Sequence, residues 1–301
     1  MTQLRKFMVD RRNFLRTGAL ALAAAPFVLP SVGQAYSATA GSGRVSQRTS
    51  DDAAPLTVVL VHGAFADASS WTGVIQRLQH SGIQVTAPAN PLRGISIDTA
   101  YLASLLGQIP GPVLAVGHSY AGALISNAAS IATNVVGLVF VAAFAPDEGE
   151  RLGDLASSSK DSILGTAQLA FRYPTGPDGQ TATEFGVDPA KFHAVFAADL
   201  PADQAAVLAA TQRPVSELAF SQPNTAPAWK NLPSWAVVAT DDKAAGADIT
   251  RTLAQRAGAT ITEITGSHLV LISQPEAVAD VILSAVAAVG QPSAAGVARV
   301  A

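Results

Sequence analysis

From Leu56 onward, apolar runs of strand length alternate with longer segments whose apolar residues recur at helical spacing. "LTVVLVH", "GPVLAVG", "VVGLVFVAA" and "SWAVVAT" read as buried strands, with "ATITEI" a weaker candidate near the end. "WTGVIQRLQHSG", "SIDTAYLASLLGQI", "YAGALISNAASIA" and "DITRTLAQRAG" read as the intervening helices, and "QPEAVADVILSAVAAV" closes the series. Parallel neighbours need crossover connections, so this alternation predicts an α/β fold, a mostly parallel, doubly wound sheet with helices on both faces.

Residues 146–228 break that rhythm. They carry helical fragments interrupted by Pro and Gly and no convincing core strand. An insertion of this length between two sheet strands is expected to be a helical cap over the carboxyl edge of the sheet, where ligands bind in open α/β folds.

The stretch Gly117-His118-Ser119-Tyr120-Ala121-Gly122 leaves one of the strands and opens a helix. A sharp strand-to-helix turn lifts a serine above the sheet and demands small neighbours, the setting of a nucleophile elbow. The chain has no cysteine, so a thiolate nucleophile, a disulfide and a thiolate metal site are excluded.

A serine hydroxyl needs a base and an orienting acid, and in this kind of fold they follow it in the order Ser, Asp or Glu, His. Of the five histidines, His268 stands in the loop "EITGSHLVLISQPE" between the last strand and the final helix, where the base is needed. His80 reads as a helix C-terminal residue and His193 as a cap surface residue. "ATDD" ends a strand between serine and histidine and offers Asp241 and Asp242. Residues at a strand end project alternately, so one of the two is expected to face His268, and Asp242 is the preferred acid. After the first strand, His62-Gly63-Ala64-Phe65 supplies an oxyanion loop: the N–H of Ala64, with Phe65 as fallback, joins that of Tyr120, and His62 braces the loop. Phe65 and Trp71 are candidate walls of an apolar substrate pocket.

Residues 55–290 resemble the α/β-hydrolase superfamily through "HGAFADASSW", "GHSYAG", "ATDD" and "GSHLVLISQP", most of all the branch that holds plant methyl esterases and hydroxynitrile lyases. In that branch the lyases carry threonine where this chain has Gly63 and lysine where it has Leu269, so both lyase-specific polar groups are missing. The family pattern also prefers glycine at the position of Ala121. The resemblance implies a serine hydrolase acting on a small-molecule ester through an acyl-enzyme, without cofactor or metal. Perhydrolysis, lactone opening and C–C cleavage use the same triad and stay open, as does a hydrolase-fold binding protein with little turnover.

The formal net charge is −3 and the body of the chain holds no long basic run, which argues against nucleic acid as a partner. The N-terminus carries an address. Arg11 and Arg12 precede "NFL", an Ala/Leu segment and then small residues, a pattern that resembles a twin-arginine export signal over residues 1–40. The apolar stretch from Thr17 to Leu29 is short for a membrane span and holds Pro26, so no stable anchor is expected, and the protein is expected to be periplasmic or extracellular. Residues 41–54 read as a polar linker and 291–301 as a C-terminal tail.

Overall fold

Four strands are buried along their whole length: β1 (Thr57–Val61), β3 (Val113–His118), β4 (Val135–Val141, but for one half-buried residue) and β8 (Ser234–Ala239). In the computed structural model, which describes residues 54–290, they form the centre of a six-stranded sheet. The edges are β2 (Gln84–Thr86) and β9 (Thr260–Ile264), giving the order β2-β1-β3-β4-β8-β9 with every pair parallel. Strands covered on both faces must be apolar on both, so they show continuous Val, Leu and Ala runs rather than alternation. The expected signal (1–40), nearly all of the linker (41–54) and the tail (291–301) lie outside the described residues.

The connections are helices. α1 (Thr72–His80) and α10 (Pro275–Gly290) pack together on one face, and α2 (Ile95–Gly107) and α3 (Ala121–Ala129) pack together on the other. α8 (Ala247–Arg256) joins β8 to β9. The chain moves outward from β1 to β2 and then crosses back over β1 to β3, so the connections leaving β1 and β3 diverge. That divergence opens a crevice at the carboxyl ends of β1 and β3, the switch point at which open α/β sheets bind ligands.

The segment between β4 and β8 lies where an insertion is expected, but its content differs from the helical cap read in the sequence. It contains α4 (Leu152–Ser158), a hairpin of β5 (Gln168–Pro174) and β6 (Thr181–Val187), α5 (Pro189–Phe196), α6 (Ala202–Thr211), β7 (Val215–Ser216) and α7 (Leu218–Ser221). β5, β6 and β7 form a separate antiparallel sheet. β5 is largely exposed and β6 mostly half-buried, so the hairpin lacks the apolar runs that mark the core strands. Among the described residues no helix is long and apolar enough to cross a membrane. The last short helix, α9 (Val270–Ser273), precedes α10.

Candidate active site

Ser119 stands at the end of β3 with φ 55°, left-handed backbone that a residue with a Cβ adopts only where its surroundings hold it. Three backbone hydrogen bonds fix the turn: the Ser119 N–H donates to Val141 O (3.2 Å) on the adjacent strand, and Ser119 O accepts the N–H groups of Gly122 (3.0 Å) and Phe144 (3.2 Å). The turn also explains its glycines. A Cβ on Gly117 would stand 2.7 Å from Ala121 O, and one on Gly122 would meet Phe144 O and come within 2.9 Å of the Ala143 Cβ. Ala121 itself is fully buried without such a conflict, so alanine at that position is compatible with the elbow.

His268 and Asp242 come together beside this turn. The Nδ1–H of His268 donates to Asp242 Oδ2 at 2.8 Å, and both side chains are excluded from solvent. The other carboxylate oxygen, Oδ1, accepts the N–H groups of Ala244 (2.8 Å) and Ala245 (3.0 Å). Asp241 is exposed, with its N–H on Gly266 O (3.0 Å). Of the two aspartates ending β8, the inward one therefore carries the contact to histidine.

Ser119 and His268 face one cavity of about 350 Å³, open solvent included. Its other walls are rings and methyl groups, among them Phe65, Phe144, Phe196 and Phe220. The Phe196 ring, from α5, meets the His268 imidazole edge-on at 4.7 Å and the Phe65 ring at 5.9 Å. Trp71, expected as a pocket wall, is not one. It is fully buried in the core with its ring perpendicular to that of His118, because the short helix after the β1 loop turns it inward.

The loop after β1 lies against the elbow. A Cβ on Gly63 would fall 2.8 Å from both His118 O and the Ser119 Cβ, so the two turns touch where only hydrogen fits. Phe65 takes φ 60°. The N–H groups of Ala64, Phe65 and Tyr120 have no acceptor among the described residues, which leaves donors available next to Ser119. His62 braces this loop: its Nδ1–H donates to Gly63 O (2.9 Å), and its Nε2 accepts the Asn90 N–H (2.9 Å). Burial lowers the pKa of His62, an effect its bond to Gly63 only partly offsets.

Several supporting groups carry no sequence signature. His118 donates its Nε2–H to the backbone oxygen of His268 (3.0 Å), tethering the histidine loop to the elbow. Burial, and secondarily the neighbouring His268, holds the His118 imidazole well below its ordinary pKa, so it stays neutral. Ser267 donates its hydroxyl to Asp199, tying the same loop to the insertion. Burial pushes the Asp199 carboxyl up, but hydrogen bonds led by Ser267 outweigh it and hold it below the usual range. Tyr120 donates its O–H to the buried Asp98 of α2 (2.8 Å). Asp98 also accepts the Arg93 and Gly94 N–H groups, yet burial keeps its carboxyl above the ordinary value. Burial first and the Asp98 charge second push the Tyr120 phenol well up. Of the other histidines, His80 bonds Gln76 O at the end of α1, and His193 is half-buried on Leu200 O within the insertion.

A family model described as the alpha/beta hydrolase family matches residues 58–281. The chain belongs to the α/β-hydrolase family. Solved structures agree on the fold. This α/β hydrolase is similar to polyneuridine aldehyde esterase, with 20% identity, a TM-score of 0.65, and 77% of this chain and 99% of that one covered. A pyrethroid hydrolase from Sphingobium faniae JZ-2 matches with 20% identity and a TM-score of 0.61 over 78% and 98% of the two chains. A methylesterase from Arabidopsis matches with 19% identity and a TM-score of 0.63 over 77% and 99%. No curated protein matches the sequence.

Proposed function

We propose that this α/β hydrolase is a carboxylic-ester hydrolase with Ser119 as nucleophile, His268 as base and Asp242 as orienting acid. The observation that carries the reading is the buried Asp242–His268 hydrogen bond, set beside a strained serine that shares one apolar cavity with the imidazole. With Nδ1–H committed to Asp242, the Nε2 lone pair of His268 is free to take the Ser119 proton as the oxygen attacks the ester carbonyl. The N–H of Tyr120 and that of Ala64 or Phe65 would stabilise the developing oxyanion. His268 then returns the proton to the departing alcohol, and water, deprotonated by the same imidazole, releases the acid. Esterases and a pyrethroid hydrolase among the similar structures fit a small ester substrate. A lyase reading is disfavoured by Gly63, whose site has no room for the lyases' threonine, and by the buried, apolar Leu269.

Incubating the purified protein with 4-nitrophenyl butanoate should give a burst of about one nitrophenolate per chain followed by steady turnover. A burst with no steady phase would assign the fold to slow binding, and the absence of both would overturn the hydrolase reading.

We also propose that residues 1–40 direct export by the twin-arginine route. Arg11→Lys with Arg12→Lys preserves charge and removes the receptor-read pair, so the precursor should remain in the cytoplasm. The general secretory route reads charge and hydrophobicity, and efficient processing of this variant would exclude the twin-arginine route. The checks are compartment and N-terminal sequence in the native host, with a wild-type start between about Tyr36 and Gly41 expected. An intact Met1 in the wild type would exclude cleavage.

A further inference from the structure

The cavity beside Ser119 adjoins a second, wider cleft within the insertion, about 960 Å³ with open solvent included. Ala156, Leu164 and Phe220 border both spaces. The two differ in chemistry. Around Ser119 and His268 the walls are rings and methyl groups, whereas the outer cleft adds the amide of Gln168 and Ser157, Ser159, Ser162 and Thr166, whose hydroxyls donate within the protein and leave their oxygens as acceptors. No ionisable side chain lines the outer cleft among the described residues. Phe220, half-buried on α7, stands between them, its ring 6.2 Å from that of Phe185, which belongs to the outer wall.

We infer that the two spaces form a two-compartment substrate site in which Phe220 sets specificity. The substrate class is an uncharged ester with a short apolar acyl group beside Ser119 and a larger alcohol portion, bearing neutral polar groups, in the outer cleft. The orientation follows from the order of events that the Ser119 reading, on which this rests, requires. The alcohol must depart while the acyl group stays bonded to the serine. The open compartment gives the leaving group a route to solvent without displacing the acyl-enzyme. Neither compartment offers a cation to a substrate carboxylate, so a charged acyl group would lose its hydration without gaining a partner.

Two variants test the two halves separately. Phe220→Ala joins the compartments, so kcat/KM for 4-nitrophenyl octanoate relative to the butanoate should rise at least tenfold. Gly165 lines the outer cleft, and a Cβ there has nothing within 4 Å. Gly165→Phe should therefore lower kcat/KM for 1-naphthyl butanoate relative to methyl butanoate at least tenfold while leaving the octanoate-to-butanoate ratio unchanged. The wild type should hydrolyse the mono-4-nitrophenyl ester of succinate at least tenfold less efficiently than the butanoate. Circular dichroism and melting temperature establish folding, and Leu164→Ala replaces Phe220→Ala if the latter fails to fold, with the same expected direction. Unchanged ratios in folded variants, a Gly165→Phe effect on acyl rather than alcohol size, or equal use of the succinate ester would overturn the proposal. Failure of the underlying reading looks different, because no ester would then be turned over or turnover would survive Ser119→Ala.

Discussion

Ser119→Ala and His268→Ala are each expected to reduce ester turnover by roughly 10⁴–10⁶-fold, and the double variant to be scarcely slower than either one. The reason is that the two groups act in one proton transfer. Without the hydroxyl there is nothing for the imidazole to deprotonate, and without the imidazole the hydroxyl remains a neutral, poor nucleophile. What survives comes from the unpartnered N–H groups beside Ser119 and from substrate binding, which neither substitution touches. The structural effects should differ. Ser119→Ala deletes one oxygen from a turn held by backbone bonds to Val141 and Phe144, so its melting temperature should stay near that of the wild type. His268→Ala removes a buried ring packed against Phe196 and His118 and strips Asp242 of its partner, so destabilisation of about 1–3 kcal/mol should accompany the kinetic loss. The measurement is kcat and kcat/KM for 4-nitrophenyl butanoate on folded protein. Near-normal turnover by Ser119→Ala, or losses that multiply in the double variant, would remove the triad mechanism.

What was legible in the sequence, and what was not, divides along burial and distance. β1, β3, β4 and β8 are readable because both faces are covered, which forces continuous apolar runs. β2 escaped notice because three residues at a half-covered edge, Gln84 to Thr86, leave no pattern. The β5–β6 hairpin was missed for a related reason, since exposure relaxes its composition, although Gly176-Pro177-Asp178-Gly179 between the strands is a turn signal that could have exposed it. Ser119, Asp242 and His268 stand out in the sequence because a motif and a chain order mark them, and the structure joins the latter two by a hydrogen bond. Trp71 was misplaced because an aromatic next to a motif looks the same in sequence whether it faces a cavity or the core. Tyr120's anchor on Asp98, the His118 tether and the Phe196 ring over His268 join segments 22, 150 and 72 residues apart, and no local pattern announces them.

The second large effect concerns the paired aspartates, and it follows from how Asp242 is held. Oδ1 accepts the N–H groups of Ala244 and Ala245, and Oδ2 accepts Nδ1–H from His268. In Asp242→Asn the two backbone donors require the amide oxygen at the Oδ1 position, so the amide nitrogen must point at His268. Its N–H groups can only donate, and the imidazole answers by moving its proton from Nδ1 to Nε2. That tautomer presents a donor to Ser119 instead of an acceptor, and the base is lost although every heavy atom can stay in place. Turnover should therefore fall by about 10⁴-fold at neutral pH with the fold retained. Asp241→Asn changes an exposed side chain whose backbone N–H, not its carboxylate, makes the bond to Gly266, so kcat should stay within about threefold of wild type because surface changes away from such features have small effects. Measuring kcat for both variants beside their circular dichroism spectra decides the matter: a loss of this size in Asp241→Asn with near-normal turnover in Asp242→Asn would transfer the orienting role to Asp241.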